Sequence, residues 1–340
     1  MGDRLIWLIR QNRQHLHPIR QGKRIVRKLL TQWKWVTSKH YREAIGRLRT
    51  SQAAYQQTEP LYSNRAILLI AEASIPQCLK YRVQQRQDCL AELGVPSTWI
   101  PWQNTEACLR ALQTHSAVIF YRTPLFASVK ELVRESRRLG LPIIWEVDDL
   151  IFDAAVLRAT PTLQDLDRHT FRGLIKGADL YRRALKAADA GLASTTCLAG
   201  AMAEAGSFPV HVVHNSLDGH TLELAEQILR ARASNNDGLT RIVYGSGSNT
   251  HNHDFKQASP ALLELLGAYP NLRLRLIGEL QLDREFDHFA DQIERFKPRD
   301  YAGYLALLAE CQINLAPLEH GSFNDCKSNI KWLEASALGI

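Results

Sequence analysis

The sequence has no closely spaced cysteines and no long apolar run, and both absences narrow the class of protein. Its six cysteines are scattered singly along 340 residues, without a C-x-x-C pair or a zinc-ligand spacing. A chain of this length needs no disulfide framework, so the pattern favours a reducing compartment. No segment approaches the roughly 20 apolar residues of a membrane-spanning helix, and the apolar stretch after Met1 is too short for a signal peptide. We therefore predict a cytoplasmic protein that touches a membrane only at its surface.

Positive charge is concentrated at the beginning of the chain. The formal net charge is +7, yet residues 1–60 alone hold 13 Lys and Arg against three acidic residues. Three of the seven tryptophans, Trp7, Trp33 and Trp35, also fall there. This composition is typical of a basic amphipathic helix on an anionic membrane surface. Two other interpretations stay open. The segment could be a helical arm that packs on the rest of the protein or on another subunit. It could also bind nucleic acid, although no recognised nucleic-acid-binding motif accompanies it.

From about Arg65 onward, predicted strands and helices alternate. Short, continuously apolar runs, such as residues 66–71 and 117–121, predict strands that are covered on both faces. Helical segments separate these runs, and two of them end on a glycine, at Gly94 and Gly140. This alternation predicts an α/β protein with right-handed crossovers and parallel sheets.

One polar segment, residues 231–239, interrupts the alternation and is predicted to be a linker. We therefore predict two Rossmann-like domains, residues 61–230 and 240–340, preceded by the basic helical arm at 1–60. An active site between two such domains is expected in the cleft that separates them. In the second domain, Ser259 is expected to cap a helix that has Pro260 at its first position.

A glycine-rich turn, Gly245-Ser-Gly-Ser-Asn-Thr250, directly follows a predicted strand of the second domain. Glycine lets another group approach the backbone closely, and successive N–H groups can hold a phosphate. A plain strand-to-loop turn explains the same residues. His251, His253 and Asp254 come next, but no third strong metal ligand is evident, so hydrogen bonding to a diphosphate is favoured over a metal site.

The last strand, loop and helix give the most specific signal. A polar loop carries Asn324, Lys327 and Ser328, and the helix that follows carries Lys331 and Glu334. Free N–H groups at the start of that helix attract an anion, and Lys327 adds a charge suited to phosphate. Glu334 could accept hydrogen bonds from a ribose diol. Alternatively, Lys331 and Glu334 form a surface pair at three-residue spacing.

This unit, with its pattern Phe-Asn-x-x-Lys-Ser-x-x-Lys-x-x-Glu, resembles the C-terminal half of glycosyltransferase family 4, the "glycosyl transferases group 1" type. The variant looks like a bacterial subgroup that acts in surface polysaccharide assembly. Supporting matches are Gly245-Ser-Gly-Ser-x-Thr-His-x-x-Asp-Phe255, Tyr269-Pro270, Leu276-Ile-Gly278 and Val212-Val-His-Asn215.

The resemblance implies a GT-B type fold in which a nucleotide-diphosphate sugar binds mainly to the second domain. It also implies retention of anomeric configuration, no cofactor and no essential metal. Related chains continue past Gly339-Ile340 into another core strand, so the resemblance predicts that the second domain is incomplete in this chain and exposes an apolar edge.

When the family's functional residues are matched one by one to this sequence, the resemblance implies a set of donor-binding residues. Glu334 corresponds to the second glutamate of the family's Glu-x7-Glu element, which contacts the ribose. The first glutamate falls at Cys326, which cannot replace a carboxylate, and the family's Arg/Lys pair for the diphosphate is not evident in the glycine-rich turn. The predicted donor-binding residues are Gly245, Ser246, Gly247, Thr250, His251, Asn324, Lys327, Ser328 and Glu334.

Two further predictions concern the first domain. Asp148 and Asp149 follow a predicted strand and are the candidate catalytic residues, which could orient an acceptor hydroxyl or stabilise positive charge on the sugar carbon. A capped turn with solvated carboxylates is the plainer interpretation. Tyr81 and Arg82, in the loop after the first strand, are the predicted acceptor-binding residues.

These observations predict a glycosyltransferase of the hexosyltransferase type that moves a sugar from a nucleotide-diphosphate sugar to a glycan or lipid-linked acceptor. Two alternatives stay open. One is an inactive, glycosyltransferase-like binding protein, which Cys326 and the short second domain favour. The other is a nucleic-acid-binding protein that uses the basic arm.

Overall fold

The computed structural model describes residues 65–232, 237–246 and 252–340. The predicted basic arm lies outside the described residues, as do Gly247, Thr250 and His251. The strands are β1 (Ile67–Ala71), β2 (Ser97–Pro101), β3 (Ala117–Tyr121), β4 (Ile143–Val147), β5 (Ala190–Ala193), β6 (Val210–Val212), β7 (Thr240–Ser246), β8 (Leu272–Gly278), β9 (Ile293–Phe296) and β10 (Ile313–Leu315).

The helices alternate with these strands along the chain. A π-helix spans Lys80–Gln84 and a 3₁₀ segment spans Arg284–Gln292. The α-helices are α1 (Pro76–Leu79), α2 (Gln85–Glu92), α3 (Thr105–Leu112), α4 (Ala127–Arg138), α5 (Ala154–Ala159), α6 (Pro161–Gln164), α7 (Arg168–Leu185), α8 (Thr196–Gly206), α9 (Gly219–Ala231), α10 (Asn252–Lys256), α11 (Ser259–Ala268), α12 (Tyr301–Ala309), α13 (Ser322–Asp325) and α14 (Ile330–Ala337).

The strands form two parallel sheets, which we call the sheets of the first and second domains. The first sheet has the order β2-β1-β3-β4-β5-β6, and the second has the order β10-β7-β8-β9. Every strand pair in both sheets is parallel. This arrangement confirms the predicted α/β fold with two Rossmann-like sheets.

Each sheet has a point at which the chain reverses its direction of travel across the sheet. In the first sheet this switch lies between β1 and β3, and in the second it lies between β7 and β10. Ligands of open α/β sheets bind in the crevice outside the carboxyl ends of the strands at such a point. A ligand-binding site is therefore expected among the loops that follow these four strands.

Continuous apolar strands account for the cores of both sheets. Leu68, Leu69 and Ile70 in β1 have no exposed surface, because helices cover both faces of a parallel sheet. In the second sheet Val243 and Tyr244 of β7 are equally buried. The predicted β1 and β3 are confirmed, since an apolar run of this length is a local property of the sequence.

Several elements were absent from the sequence predictions or differ from them, and three of them bear on the second domain. The sequence predicts no helix at α9 and no strand at β9, whose sequence Ile-Glu-Arg-Phe is half charged. Ser259 does not cap α11. It is the first residue of that helix, which makes Pro260 the second, and its hydroxyl donates to the carbonyl of Phe255 in α10, which ends three residues earlier.

Helix α9 packs with the second domain although it precedes the predicted linker. Its Ala225 belongs to a buried cluster with Val243, Ile277 and Leu305 of the second domain. The predicted end of the first domain, at residue 230, thus lies within the last turn of a helix that packs in the core of the second domain.

A loop of the second domain in turn completes the core of the first. Cys326 is 1% exposed and belongs to the main cluster of the first domain, and Phe323 packs against the same cluster. Phe323 also packs against a smaller cluster formed by Leu157, Leu163 and Ala178. Each domain therefore buries apolar side chains that the other contributes. Among the described residues, no helix is long and apolar enough to cross a membrane.

Candidate functional site

The candidate site lies where the switch points of the two sheets face each other. Residues after β1 and β6 of the first domain contact residues after β10 of the second. The Tyr81 hydroxyl donates to Glu334 Oε1, and the Asn215 amide donates to the Ser328 hydroxyl at 2.8 Å. These contacts join the carboxyl ends of the two sheets directly, at the boundary between the domains where the sequence analysis expects an active site.

Glu334 is a buried carboxylate at the boundary between the domains. It lies in α14, it is 6% exposed, and its environment contains three tyrosines. The hydroxyl of Tyr81 lies 2.9 Å from that of Tyr301, which is the first residue of α12. Burial raises the pKa of the Glu334 carboxyl, and the hydrogen bonds from Tyr81, Tyr301 and Tyr304 oppose this effect without cancelling it.

Lys331 supplies positive charge near Glu334, and Lys327 in turn lies near Lys331. The Lys331 ammonium lies 4.7 Å from the centroid of the Tyr244 ring. Burial, together with the charge of Lys327, lowers the pKa of Lys331 to about 8. Lys331 therefore changes charge in a range where small shifts of pH, or an arriving anion, alter its protonation.

The loop between β10 and α14 is fixed by one buried carboxylate, that of Asp254. Asp254 Oδ1 accepts a hydrogen bond from the Asn324 amide at 2.9 Å and from the backbone N–H of Glu319 at 3.0 Å. Its Oδ2 lies 3.3 Å from Lys327 Nζ. Asp254 thus organises two predicted donor-binding residues, a role that the sequence did not reveal. The neighbouring His253 Nε2 lies 2.7 Å from Asp165 of the first domain.

The end of β7 meets the end of β8 very closely. Gly278 has φ +104°, and a Cβ atom placed on it would lie 1.9 Å from the carbonyl oxygen of Ser246. The Ser246 hydroxyl donates to the carbonyl of Glu279 at 2.7 Å. A Cβ at Gly245 would lie 3.0 Å from the Tyr304 hydroxyl, so glycine lets this tyrosine pack against β7.

Asp148 and Asp149 directly follow β4 of the first domain. Arg122 Nη1 lies 2.8 Å from Asp148 Oδ1 and 3.1 Å from Asp149 Oδ2. Burial and the charge of Asp148 raise the pKa of Asp149, while Arg122 and Lys327 act in the opposite direction. The fold therefore brings the predicted catalytic pair of the first domain and Lys327 of the second into one electrostatic environment.

Arg122 is a residue of this site that sequence reasoning missed. It directly follows β3 at the switch point and adopts a left-handed backbone conformation, with φ 48°. Such a conformation is uncommon outside glycine and persists where the surroundings hold it. The signal that could have found Arg122 is a charged residue directly after a strand as apolar as β3.

Tyr81 and Arg82 are neighbours that face different surroundings, because both lie in the π-helix Lys80–Gln84. Tyr81 reaches Glu334 of the second domain. The Arg82 guanidinium is instead buried, and it donates to Glu146 at 2.7 Å and to the carbonyl of Val213 at 2.7 Å. The predicted acceptor-binding role of both residues stays a prediction. The observed contacts of Arg82 hold the ends of β4 and β6 together.

Comparison with known proteins places the fold. No protein-family model matches the sequence, and no curated protein matches it. Among solved structures, an alpha-glucosyltransferase in complex with UDP has a TM-score of 0.51 at 9% identity, with 81% of this chain and 79% of that chain covered. An alpha,alpha-trehalose 6-phosphate synthase from Burkholderia multivorans has a TM-score of 0.49 at 10% identity, with 81% of each chain covered. A sucrose-phosphate synthase from Thermosynechococcus elongatus has a TM-score of 0.46 at 12% identity, with 76% of this chain and 77% of that chain covered.

The likeness to the alpha-glucosyltransferase concerns the fold, given the low identity. The described part of this chain has the two-sheet α/β fold of glycosyltransferases of the GT-B type.

Proposed function

We propose that this protein is a glycosyltransferase that takes a sugar from a nucleotide-diphosphate sugar. The observation that carries the proposal is the position of Glu334, Lys331 and Lys327. All three follow β10 at the switch point of the second sheet, and Glu334 accepts a hydrogen bond from Tyr81 of the first domain. A carboxylate for a ribose diol and cations for a diphosphate are the groups that such a donor requires.

The proposed mechanism assigns the two sides of the cleft to different parts of the reaction. Lys327 and Lys331 neutralise the negative charge that develops on the leaving diphosphate, and Glu334 accepts hydrogen bonds from the ribose. Asp148 and Asp149 orient the acceptor hydroxyl or stabilise positive charge on the sugar carbon, with Arg122 holding both carboxylates in place. The resemblance to family 4 further supports transfer with retention of configuration and without an essential metal.

We further propose that the acceptor is a glycan or a lipid-linked glycan of a bacterial surface polysaccharide. In this proposal, residues 1–60 bring the enzyme to the anionic cytoplasmic face of the membrane, where lipid-linked acceptors lie. Removal of residues 1–60 should abolish binding to vesicles that contain anionic phospholipid. Vesicle binding that survives this deletion contradicts the membrane role. Binding of residues 1–60 to nucleic acid with a steep dependence on salt supports the nucleic-acid-binding alternative instead.

One observation favours a second candidate function, that of an inactive binding protein of the same fold. Cys326 stands at the position of the first glutamate of the Glu-x7-Glu element. Its side chain is packed into the core of the first domain and contacts another thiol. It therefore offers no carboxylate to a donor sugar.

Calorimetry and turnover with UDP-, GDP- and dTDP-linked sugars test the proposal. We expect saturable binding of one of these donors together with release of the nucleoside diphosphate. Glu334→Gln should weaken that binding by about 10- to 100-fold, because a hydrogen bond to a charged group is lost. The matched control is Glu264→Gln, which changes an exposed glutamate of α11. Binding without turnover supports the inactive candidate, and binding unchanged by Glu334→Gln contradicts the ribose assignment.

A further inference from the structure

The fold brings together two cysteines that are distant in the sequence. Cys326 of the second domain donates a hydrogen bond from its Sγ to the Sγ of Cys197 in the first domain, at 3.3 Å. Both are free thiols. Cys197 lies in the first turn of α8, and Cys326 directly follows α13. The two sulfur atoms therefore face each other across the domain boundary.

Two hydrogen bonds next to the thiols hold this arrangement. The Thr195 hydroxyl donates to the carbonyl of Cys326 at 3.0 Å, and the Asn215 amide donates to the Ser328 hydroxyl at 2.8 Å. The segment from Cys326 to Ser328 is thus tied to the first domain. The sulfur atoms lie 3.3 Å apart, so they must approach by about 1.3 Å to reach the roughly 2.05 Å of a disulfide.

The two thiols differ in exposure, and this difference gives them different chemical roles. Cys197 is exposed, so a small oxidant can reach it from solvent. Cys326 is buried, and burial together with the hydrogen bond to Cys197 raises the pKa of its thiol to about 12. Cys326 is therefore protected from direct oxidation but lies within reach of an oxidised Cys197.

We propose that Cys197 and Cys326 are a redox modification site, at which a hydroperoxide forms a disulfide that locks the two domains together. Cys197 sulfur attacks one peroxide oxygen, the O–O bond breaks, and Cys197 becomes a sulfenic acid with release of water or the corresponding alcohol. Cys326 sulfur then attacks the Cys197 sulfur and displaces hydroxide, which takes the Cys326 proton and leaves as a second molecule, water. Two thiols are oxidised and one peroxide is reduced.

The position of the bond gives it a consequence for the cleft. Cys326 directly precedes Lys327, in the loop that follows β10 at the switch point. A covalent bond to α8 fixes this loop on the first domain, so the cleft can no longer open to admit or release a ligand. Formation of the disulfide is independent of the proposed function, whereas its effect on sugar transfer rests on that function.

Treatment of the full chain with hydrogen peroxide, followed by non-reducing peptide mapping, tests the modification site. We expect a linked pair of peptides that contain Cys197 and Cys326, a mass loss of about 2 Da, and full reversal by a dithiol reductant. Cys89→Ser, at an exposed cysteine of α2, is the matched control and should leave the linkage intact. Cys197→Ser should abolish it. Accumulation of a sulfinic acid at Cys197 without linkage, or pairing of Cys326 with another cysteine, overturns the proposal.

A second measurement examines the lock itself. In the parent and in Cys89→Ser, oxidised protein should turn over the nucleotide sugar on the order of tenfold more slowly than reduced protein, and reduction should restore the rate. In Cys197→Ser, oxidation should leave the rate unchanged. Equal turnover by the linked and the reduced protein overturns the lock. If the reduced protein turns over no nucleotide sugar, the proposed function fails, while the peptide map still decides the modification site.

Discussion

At the scale of single residues, Lys331 has the most direct consequence for binding. Its ammonium lies over the Tyr244 ring, and its pKa is lowered to about 8 by burial and by Lys327. A lysine with a lowered pKa is charged below that value and neutral above it. An anionic ligand of this lysine therefore binds more tightly at pH 7 than at pH 9.

This titration predicts that the affinity for UDP, or for the nucleotide that binds best, falls as the pH rises from 7 to 9. Lys331→Arg should remove this decline, because an arginine stays charged throughout the range. Calorimetric titration at both pH values measures the effect, and Lys130→Arg, at an exposed position of α4, is the control. An equal decline in Lys331→Arg and in the parent contradicts a role for Lys331 in binding the anion.

Gly278 gives a prediction about stability. Its positive φ and the closeness of the Ser246 carbonyl together exclude a side chain. Gly278→Ala should lower the free energy of unfolding by about 3 kcal/mol or more, since backbone strain alone costs about 1–3 kcal/mol and the contact is with backbone. Gly94→Ala is the matched control. Gly94 also has a positive φ, of +69°, but its added Cβ would meet no atom within 4 Å, so it should show the strain alone. Urea denaturation compares the two, and equal losses contradict the argument from close contact.

At the scale of elements, the start of α9 links the two domains. Asp218 caps this helix by accepting from the backbone N–H of Thr221 at 2.7 Å, and it pairs with Lys80 of the first domain at 2.7 Å. Burial opposes ionisation of Asp218, but the hydrogen bonds from Lys80 and Thr221 outweigh it and lower its pKa to about 2. The stability that this carboxylate provides is therefore complete above its unfolded pKa of about 3.9 and lost as the pH falls through 2.

Substitutions of Asp218 separate its role as a helix cap from its role in the ion pair with Lys80. Asp218→Asn keeps a good capping residue and loses the ion pair, so we expect a loss of under about 1 kcal/mol, whereas Asp218→Ala loses both and costs about 2 kcal/mol. Asp167→Ala, which removes the corresponding cap of α7, should cost about 1 kcal/mol. Denaturation at pH 5 measures these losses. The difference in free energy of unfolding between the parent and Asp218→Asn should shrink as the pH falls from 4 to 2. A difference that stays constant with pH contradicts the ion pair.

The elements also show what the sequence can predict about this protein. Apolar strands such as β3 are visible because burial on both faces leaves a continuous local run. Strand β9 is not visible, since its Glu294 is explained only by partners elsewhere: Arg275 at 2.7 Å and Arg241 at 3.2 Å. A strand that owes its stability to such pairs lacks a recognisable pattern of its own.

The same difference applies to the candidate site. Glu334 and Lys327 were predictable because they belong to one continuous loop and helix with a recognisable spacing. The tyrosines around Glu334 come from α12 and from the first domain, and Arg122 reaches Asp148 from a different strand. Their roles depend on the packing of separate segments, which spacing along the sequence does not record.

At the scale of the whole molecule, Phe323 ties the second domain to the first, because it packs against two apolar clusters of the first domain. Phe323→Ala should weaken the association of the domains by about 2 kcal/mol or more. We expect an increased radius of gyration in small-angle X-ray scattering. Phe289→Ala, which removes a partly buried phenylalanine from within the second domain, is the control and should leave the radius unchanged. An unchanged radius for Phe323→Ala contradicts the role of this side chain as a link.

The same packing has a consequence for synthesis on the ribosome. The main core of the first domain extends from Leu68 to Val212, yet its last two contributors are Phe323 and Cys326. These side chains emerge after about a hundred further residues, which at typical elongation rates takes on the order of ten seconds. During that time the nascent first domain has its sheet but exposes the apolar surface that the later loop will cover. Chaperones that bind exposed apolar surface are therefore expected to hold this chain until residue 326 has left the exit tunnel.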